Sequence, residues 1–178
     1  MKLLGAVLAG GRSSRFGADK AETVWRGKAL VDHALSQMRE QCDTVVLCGR
    51  RRNGVTSLAD RPTADEGPLG GLNAALAHAM ENGFDAVLSI ACDNARIPAD
   101  LADRLSPGPA YAESQPVIGL WPVALAPRLD AWLADQPRRA MMAWVEHIGA
   151  APVALPEPPP NINTPDDLRA LADRAGDA

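Results

Sequence analysis

Aromatic side chains are scarce in this chain. They make up 4% of its 178 residues, whereas 47% of the residues are hydrophobic, mostly Ala, Leu and Val. That balance disfavours an all-β sandwich and favours an Ala-rich α/β layer structure. Cysteine is sparse too. Cys42, Cys48 and Cys92 are odd in number and include no C-x-x-C pair, which argues against a disulfide framework and a zinc knuckle and leaves structural thiols of a reducing cytoplasm. Basic charge is not in excess, with 18 Lys and Arg against 22 Asp and Glu for a net charge of −4. Broad nucleic-acid binding needs a clustered basic surface, so any anion must be bound locally. Long apolar runs are missing as well: Leu3 to Ala9 is too short for a membrane span or a signal segment and reads as a buried strand. Neither G-x-G-x-x-G nor G-x-x-x-x-G-K-[ST] occurs, which disfavours a dinucleotide-dependent oxidoreductase and a P-loop kinase.

What is present suffices for one core. At roughly 150 residues per domain, residues 1–178 form a single domain. The run ending at Gly10-Gly11 has the pattern of a central parallel strand entering a glycine turn. A polar loop follows to about Lys20, then apolar residues recur at helical spacing from Leu30 to Met38, and Thr44 to Leu47 is β-branched and apolar. Further on come a helix from about Leu69 to Met80, a strand from Ala86 to Ile90, a short helix from Ile97 to Leu105 and a strand from Pro116 to Trp121. Helical stretches near Leu125 to Leu133 and Arg139 to Ile148, a stiff connector from Pro156 to Pro160, and a terminal helix from Pro165 to about Arg174 complete the chain. This alternation implies a single doubly wound, mostly parallel sheet with helices on both faces, where ligands sit at the carboxyl ends of the strands.

Four segments carry chemistry. In Leu8-Ala9-Gly10-Gly11-Arg12-Ser13-Ser14-Arg15-Phe16-Gly17-Ala18-Asp19-Lys20 the glycines let backbone amides approach an anion closely, and Arg12, Arg15 and Lys20 supply charge. An ordinary basic surface loop is the alternative. In Asp65-Glu66-Gly67-Pro68-Leu69-Gly70-Gly71-Leu72 the glycines admit a base or ribose near the backbone, while Pro68 presets the start of a helix. A plain helix N-terminus is the other reading. Asp93, just past a strand end, suits a hard divalent cation such as Mg²⁺, which prefers oxygen ligands, and it could equally cap a helix. In Asn161-Ile162-Asn163-Thr164-Pro165-Asp166-Asp167-Leu168 the residues from Thr164 onward are helix-start signals, whereas the two asparagines are left to serve a metal or substrate.

Together these segments resemble one family. LAGGRSSRFGADK is similar to L-A-G-G-x-S-x-R-M-G-x-D-K, the signature loop of the molybdenum cofactor guanylyltransferases, with Leu8, both glycines, Ser13, Arg15, Gly17, Asp19 and Lys20 in register and Phe16 in place of Met. Gly67 to Gly71 is similar to the family's G-P-L-A/G-G, and Cys92 to Pro98 to its C-D-T-P-x-x-P, with Asn94 and Ala95 departing from Thr and Pro. Asn161 to Leu168 is similar to N-x-N-T-P-x-D-L, and Lys28 in Gly27-Lys28-Ala29-Leu30 echoes a G-K-P-L element that is either structural or at the pocket rim.

The resemblance implies a Rossmann-like nucleotidyltransferase fold and transfer of GMP from GTP to the phosphate of molybdopterin, with pyrophosphate released. It implies Arg15, Lys20 and Asp93 as catalytic residues and Asp93 with Asn163 as ligands of Mg²⁺. Leu8, Ala9, Gly10, Gly11, Ser13, Arg15, Lys20, Asp65, Gly67, Pro68, Leu69 and Gly70 are implied to bind the nucleotide. The partners implied are GTP, molybdopterin or the molybdenum cofactor, and transiently cofactor-synthesis proteins or acceptor molybdoenzymes, with neither nucleic acid nor membrane. A cytidylyltransferase, a sugar-1-phosphate nucleotidyltransferase and a non-catalytic nucleotide-binding module are the alternatives. The resemblance is weakest from Ser106 to Gln115, near the acceptor side in relatives.

Overall fold

The structure is a computed structural model that describes residues 1–10, 20–64, 66–94, 96–135, 140–160, 162 and 167. In chain order the elements are β1 (Leu3–Leu8), a 3₁₀ turn (Lys20–Glu22), β2 (Val24–Trp25), β3 (Lys28–Ala29), α1 (Leu30–Arg39), β4 (Thr44–Cys48), β5 (Thr56–Leu58) and α2 (Gly67–Glu81). They continue with β6 (Ala86–Ala91), α3 (Leu101–Arg104), β7 (Ala110–Ala112), β8 (Gln115–Pro122), a 3₁₀ turn (Val123–Leu125), α4 (Ala126–Asp135), α5 (Met141–Ile148) and β9 (Ala151–Val153). Seven strands form one sheet in the order β5-β4-β1-β6-β8-β7-β9, and β2 with β3 makes a separate hairpin. The block β5-β4-β1-β6 is parallel throughout, β8 runs antiparallel to both β6 and β7, and β7 pairs parallel with β9. The mostly parallel sheet expected from the sequence is therefore present.

Side-chain alternation explains the two layers. Along β1, Leu3 and Val7 face the layer that contains Val31, Leu35 and Met38 of α1. Leu4, Ala6 and Leu8 face Leu69, Leu72 and Leu76 of α2 on the other side. All six residues of β1 are buried, so a continuous apolar run is what this central strand requires. On the α2 face, Trp121 and Trp144 are fully buried. The Trp121 indole N–H donates to Ser89 Oγ at 2.8 Å, which satisfies its one polar atom in the core. Both tryptophans thus act as core anchors.

The order β5-β4-β1-β6 fixes where a ligand can sit. The chain leaves β1 towards β4 and β5, then returns across the sheet through α2 to β6 on the other flank of β1. In a sheet wound this way ligands bind in a crevice outside the carboxyl ends of the strands, where the order reverses at β1. The expected terminal helix lies outside the described residues, apart from a helical Asp167. Among the described residues no helix is long and apolar enough to cross a membrane.

Candidate functional site

Four strand exits converge at this crevice, and backbone hydrogen bonds carry their alignment past the last strand residues. Cys92 N donates to Leu8 O at 3.0 Å, Ala9 N to Cys48 O at 2.9 Å and Gly49 N to Leu58 O at 2.9 Å. These bonds hold the first residues of four connections side by side. Glycine is required where two of them meet: a Cβ on Gly49 would lie 2.6 Å from Gly10 Cα, and Gly49 has a φ of +78°.

Beside these glycines lies a cavity of about 410 Å³, lined by Gly10, Gly49, Arg50, Arg51, Ser57, Leu58, Ala59, Asp60 and Ala64. That volume falls within the range of small-ligand sites. Asp60 presents its carboxylate there, with Oδ2 3.3 Å from where a Gly10 Cβ would stand and Oδ1 3.3 Å from the same point on Gly49. Asp60 belongs to no motif recognised in the sequence. The signal that could have found it is an acid just past the carboxyl end of a strand, but that strand, β5, is only Thr56–Leu58.

On the opposite flank of β1, Lys20 opens the 3₁₀ turn that ends the signature loop, and its ammonium donates to Asp93 Oδ2. The two side chains are 14% and 13% exposed, open enough for a ligand to reach and sheltered enough for charge to act. Asp93 stands in a tight turn closed by Asn94 N donating to Ala91 O at 3.1 Å. Cap or not, this aspartate faces a cation, whereas the following helix begins only at Leu101.

A second set of charges braces the same region. Arg52 grips Asp32 of α1 through Nε at 2.7 Å and Nη2 at 2.5 Å, and reaches Glu22 of the 3₁₀ turn through Nη1 at 2.8 Å. Arg50 adds a 3.3 Å contact to Glu22. Asp32 first, then Glu22, push the Arg52 pKa upward and keep its guanidinium charged. The turn bearing Lys20 is thereby tied to the β4–β5 connection that lines the cavity.

The remaining expected residues fall into two groups. Leu8, Ala9, Leu69 and Gly70 are buried, and Leu8 and Leu69 pack in the core layer on the α2 face. Gly70 has no room for a side chain, since its Cβ would stand 2.4 Å from Glu66 Cβ and 3.0 Å from Asp60 Cβ. Gly67 has φ +66° with open space where a Cβ would be, and Pro68 is exposed at the start of α2. Gly11, Ser13, Arg15, Asp65 and Asn163 lie outside the described residues. Lys28 is exposed and donates to Ser36 Oγ at 2.7 Å.

The residues fit Mg²⁺. No group of three or more His, Cys, Asp or Glu side chains gathers as a metal site among the described residues. A Mg²⁺ ion shared with a triphosphate needs only one or two protein carboxylates, because phosphate oxygens and water complete its shell. Asp93, at a strand end beside a lysine and 13% exposed, is a carboxylate of the kind such an ion takes.

The fold is that of a doubly wound α/β protein, and the comparisons with known proteins give its family. The profile of the MobA-like NTP transferase domain matches residues 5–150, and the chain belongs to that family. It is 34% identical to the molybdenum cofactor guanylyltransferase of Rhizobium johnstonii, over 93% of this chain and 90% of that one. It is also 34% identical to the enzyme of the same name from Rhodobacter capsulatus, over 98% of this chain and 97% of the other. In fold it is similar to the crystal structure of molybdopterin-guanine dinucleotide biosynthesis protein A from Archaeoglobus fulgidus, with a TM-score of 0.76, 21% identity and coverage of 98% and 100% of the two chains. The chain is a nucleotidyltransferase.

Proposed function

We propose that this nucleotidyltransferase moves GMP from GTP to the terminal phosphate of molybdopterin, forming the guanine dinucleotide cofactor and releasing pyrophosphate. The observation that carries this reading is the meeting of Lys20 with Asp93 across the β1–β6 crevice. An ammonium and a carboxylate stand there together, where the signature loop and the strand-end aspartate of this family converge. The curated relatives, at 34% identity over nearly the whole chain, bear the name of this activity.

In the reaction an oxygen of the acceptor phosphate attacks the α-phosphorus of GTP. The bond from that phosphorus to the bridging oxygen breaks, and pyrophosphate leaves with the electron pair. The attacking phosphate is already anionic, so no strong general base is required. The task left to the protein is alignment and charge neutralisation. Lys20, with Arg15 of the signature loop, balances triphosphate charge, and the backbone amides after β1 add donors. Asp93 and Asn163 would hold Mg²⁺, whose chemistry is to neutralise phosphate oxygens. The cavity beside Gly10 receives the nucleoside, with the Asp60 carboxylate as an acceptor for its N–H or hydroxyl donors. The reading places the protein in the cytoplasm, with its acceptor and the recipient molybdoenzymes.

Calorimetric titration with GTP, CTP, ATP and UTP in Mg²⁺ tests the donor. GTP should bind at least about tenfold more tightly than CTP, a difference of ~1.4 kcal/mol. Equal affinity, or a preference for CTP, would contradict the assignment.

A further inference from the structure

Asn94 stands where the family pattern has Thr, and it is fully buried. Its surroundings explain why an amide serves there. β8 pairs with β6 only from Ala86↔Pro122 to Ser89↔Gly119 and then peels away. Two backbone groups that a continuing ladder would have paired are left at the split, and side chains take both. Ser89 Oγ donates to Val117 O at 2.6 Å, and Ala91 N donates to Asn94 Oδ1 at 2.8 Å. The other end of the Asn94 amide is used as well: Nδ2 donates to Gln115 Oε1 at 2.8 Å, and Gln115 Nε2 donates in turn to Pro159 O. From the α1 side, Gln37 Oε1 accepts Ile97 N at 2.7 Å, so the far end of the same loop is held too. A threonine hydroxyl accepts and donates at a single atom close to its own backbone, whereas the planar amide puts acceptor and donor on separate atoms and so spans Ala91 N and Gln115 Oε1.

We propose that Asn94 and Gln115 form a positioning pair that fixes the turn presenting Asp93 to the divalent cation and the triphosphate. Asp93 lies between the two anchor points of this turn, Ala91 and Asn94, and its carboxylate is the group that meets Lys20. The side-chain hydrogen bonds of the pair run to Ala91 N, to each other and to Pro159 O, and neither residue lines the cavity beside Asp60, so its effect on the ligand passes through Asp93. The inference rests on the reading of this crevice as the phosphate and metal site.

The test uses the full chain and measures GTP binding by calorimetry across a Mg²⁺ titration and again in EDTA, with thermal melts alongside, for wild type, Asn94→Ala, Gln115→Leu and the double variant. Loss of one buried amide contact should raise the Mg²⁺ concentration for half-maximal GTP binding about tenfold in each single variant. Metal-free GTP affinity should not change. The double variant should be no worse than the more affected single one, because both residues belong to one chain of hydrogen bonds. Gln115 is half-buried at a strand end, so its variant carries the test alone if Asn94→Ala does not fold. A wild-type Mg²⁺ requirement in the variants, whatever their melting temperatures, would overturn the positioning role. Equal losses with and without Mg²⁺ would overturn it as well, because they would mean general loosening. Absence of any Mg²⁺ effect on GTP binding in the wild type would overturn the reading of the site and the pair's role together.

Discussion

At the scale of single residues, charge in a sheltered place decides function. Lys20→Ala should lower turnover at saturating GTP about 100- to 1,000-fold, as loss of one transition-state charge donor does, while circular dichroism shows a folded chain. Near wild-type rates in a steady-state assay of pyrophosphate release would reduce Lys20 to a surface charge. Asp93→Asn keeps the size and shape of the side chain but removes its charge, and so isolates the part that charge plays in metal holding. It should lose turnover across a Mg²⁺ titration with little change in melting temperature. The thiols behave differently: burial first, and then Asp43, push the Cys42 pKa from 9.0 up to about 12. The folded chain therefore keeps that proton where the unfolded chain has lost it, and stability falls as pH rises from 9.0 towards 12. Urea denaturation at several alkaline pH values should show a shallower decline for Cys42→Ala than for the wild type. Lys20 and Asp93 were legible because each sits in a recognisable string. Asp60 was not, since its placement over Gly10 and Gly49 arises from chain segments brought together only by the sheet.

Among the elements, those buried on both faces could be read from the sequence and those at the margins could not. β1, β4 and β6 show as apolar runs because α1 and α2 cover them on either side. β5, β7 and β9 are three residues each, and β2 and β3 two, too short for any periodicity to register. The departure at Asn94 was visible, but its meaning was not, because Gln115 and Pro159 reach it only in the folded chain. Two comparisons test the bracing of the crevice. Gly49→Ala should cost at least about 2 kcal/mol more in urea denaturation than Gly27→Ala. Both glycines have positive φ, but only Gly49 faces a neighbour's backbone, whereas Gly27 faces open space. Equal costs would remove the close approach to Gly10 from the explanation. Arg52→Ala should cost about 1 kcal/mol, the scale of a partly exposed bidentate pair, and should weaken GTP binding by releasing the turn that bears Lys20. Lysine at position 52 should recover only part of both, since it cannot span Asp32 and Glu22 with a planar fork.

For the whole molecule, the doubly wound half from β1 to β6 carries the Lys20–Asp93 pair and the cavity beside Gly10, and the antiparallel β8 with its neighbours β7 and β9 extends the sheet beyond it. The region from Ser106 to Gln115, where the family resemblance is weakest, contains β7 and the start of β8. Specificity for the acceptor is therefore tested by the product and not by the nucleotide alone. The most direct measurement incubates the purified chain with molybdopterin, Mg²⁺ and either GTP or CTP, and follows pyrophosphate release together with the dinucleotide formed. GTP should yield pyrophosphate and the guanine dinucleotide in equal amounts, dependent on molybdopterin, with CTP slower by at least about tenfold in kcat/KM. Release of pyrophosphate from CTP at an equal or greater rate, or no dinucleotide with either donor, would contradict the assignment.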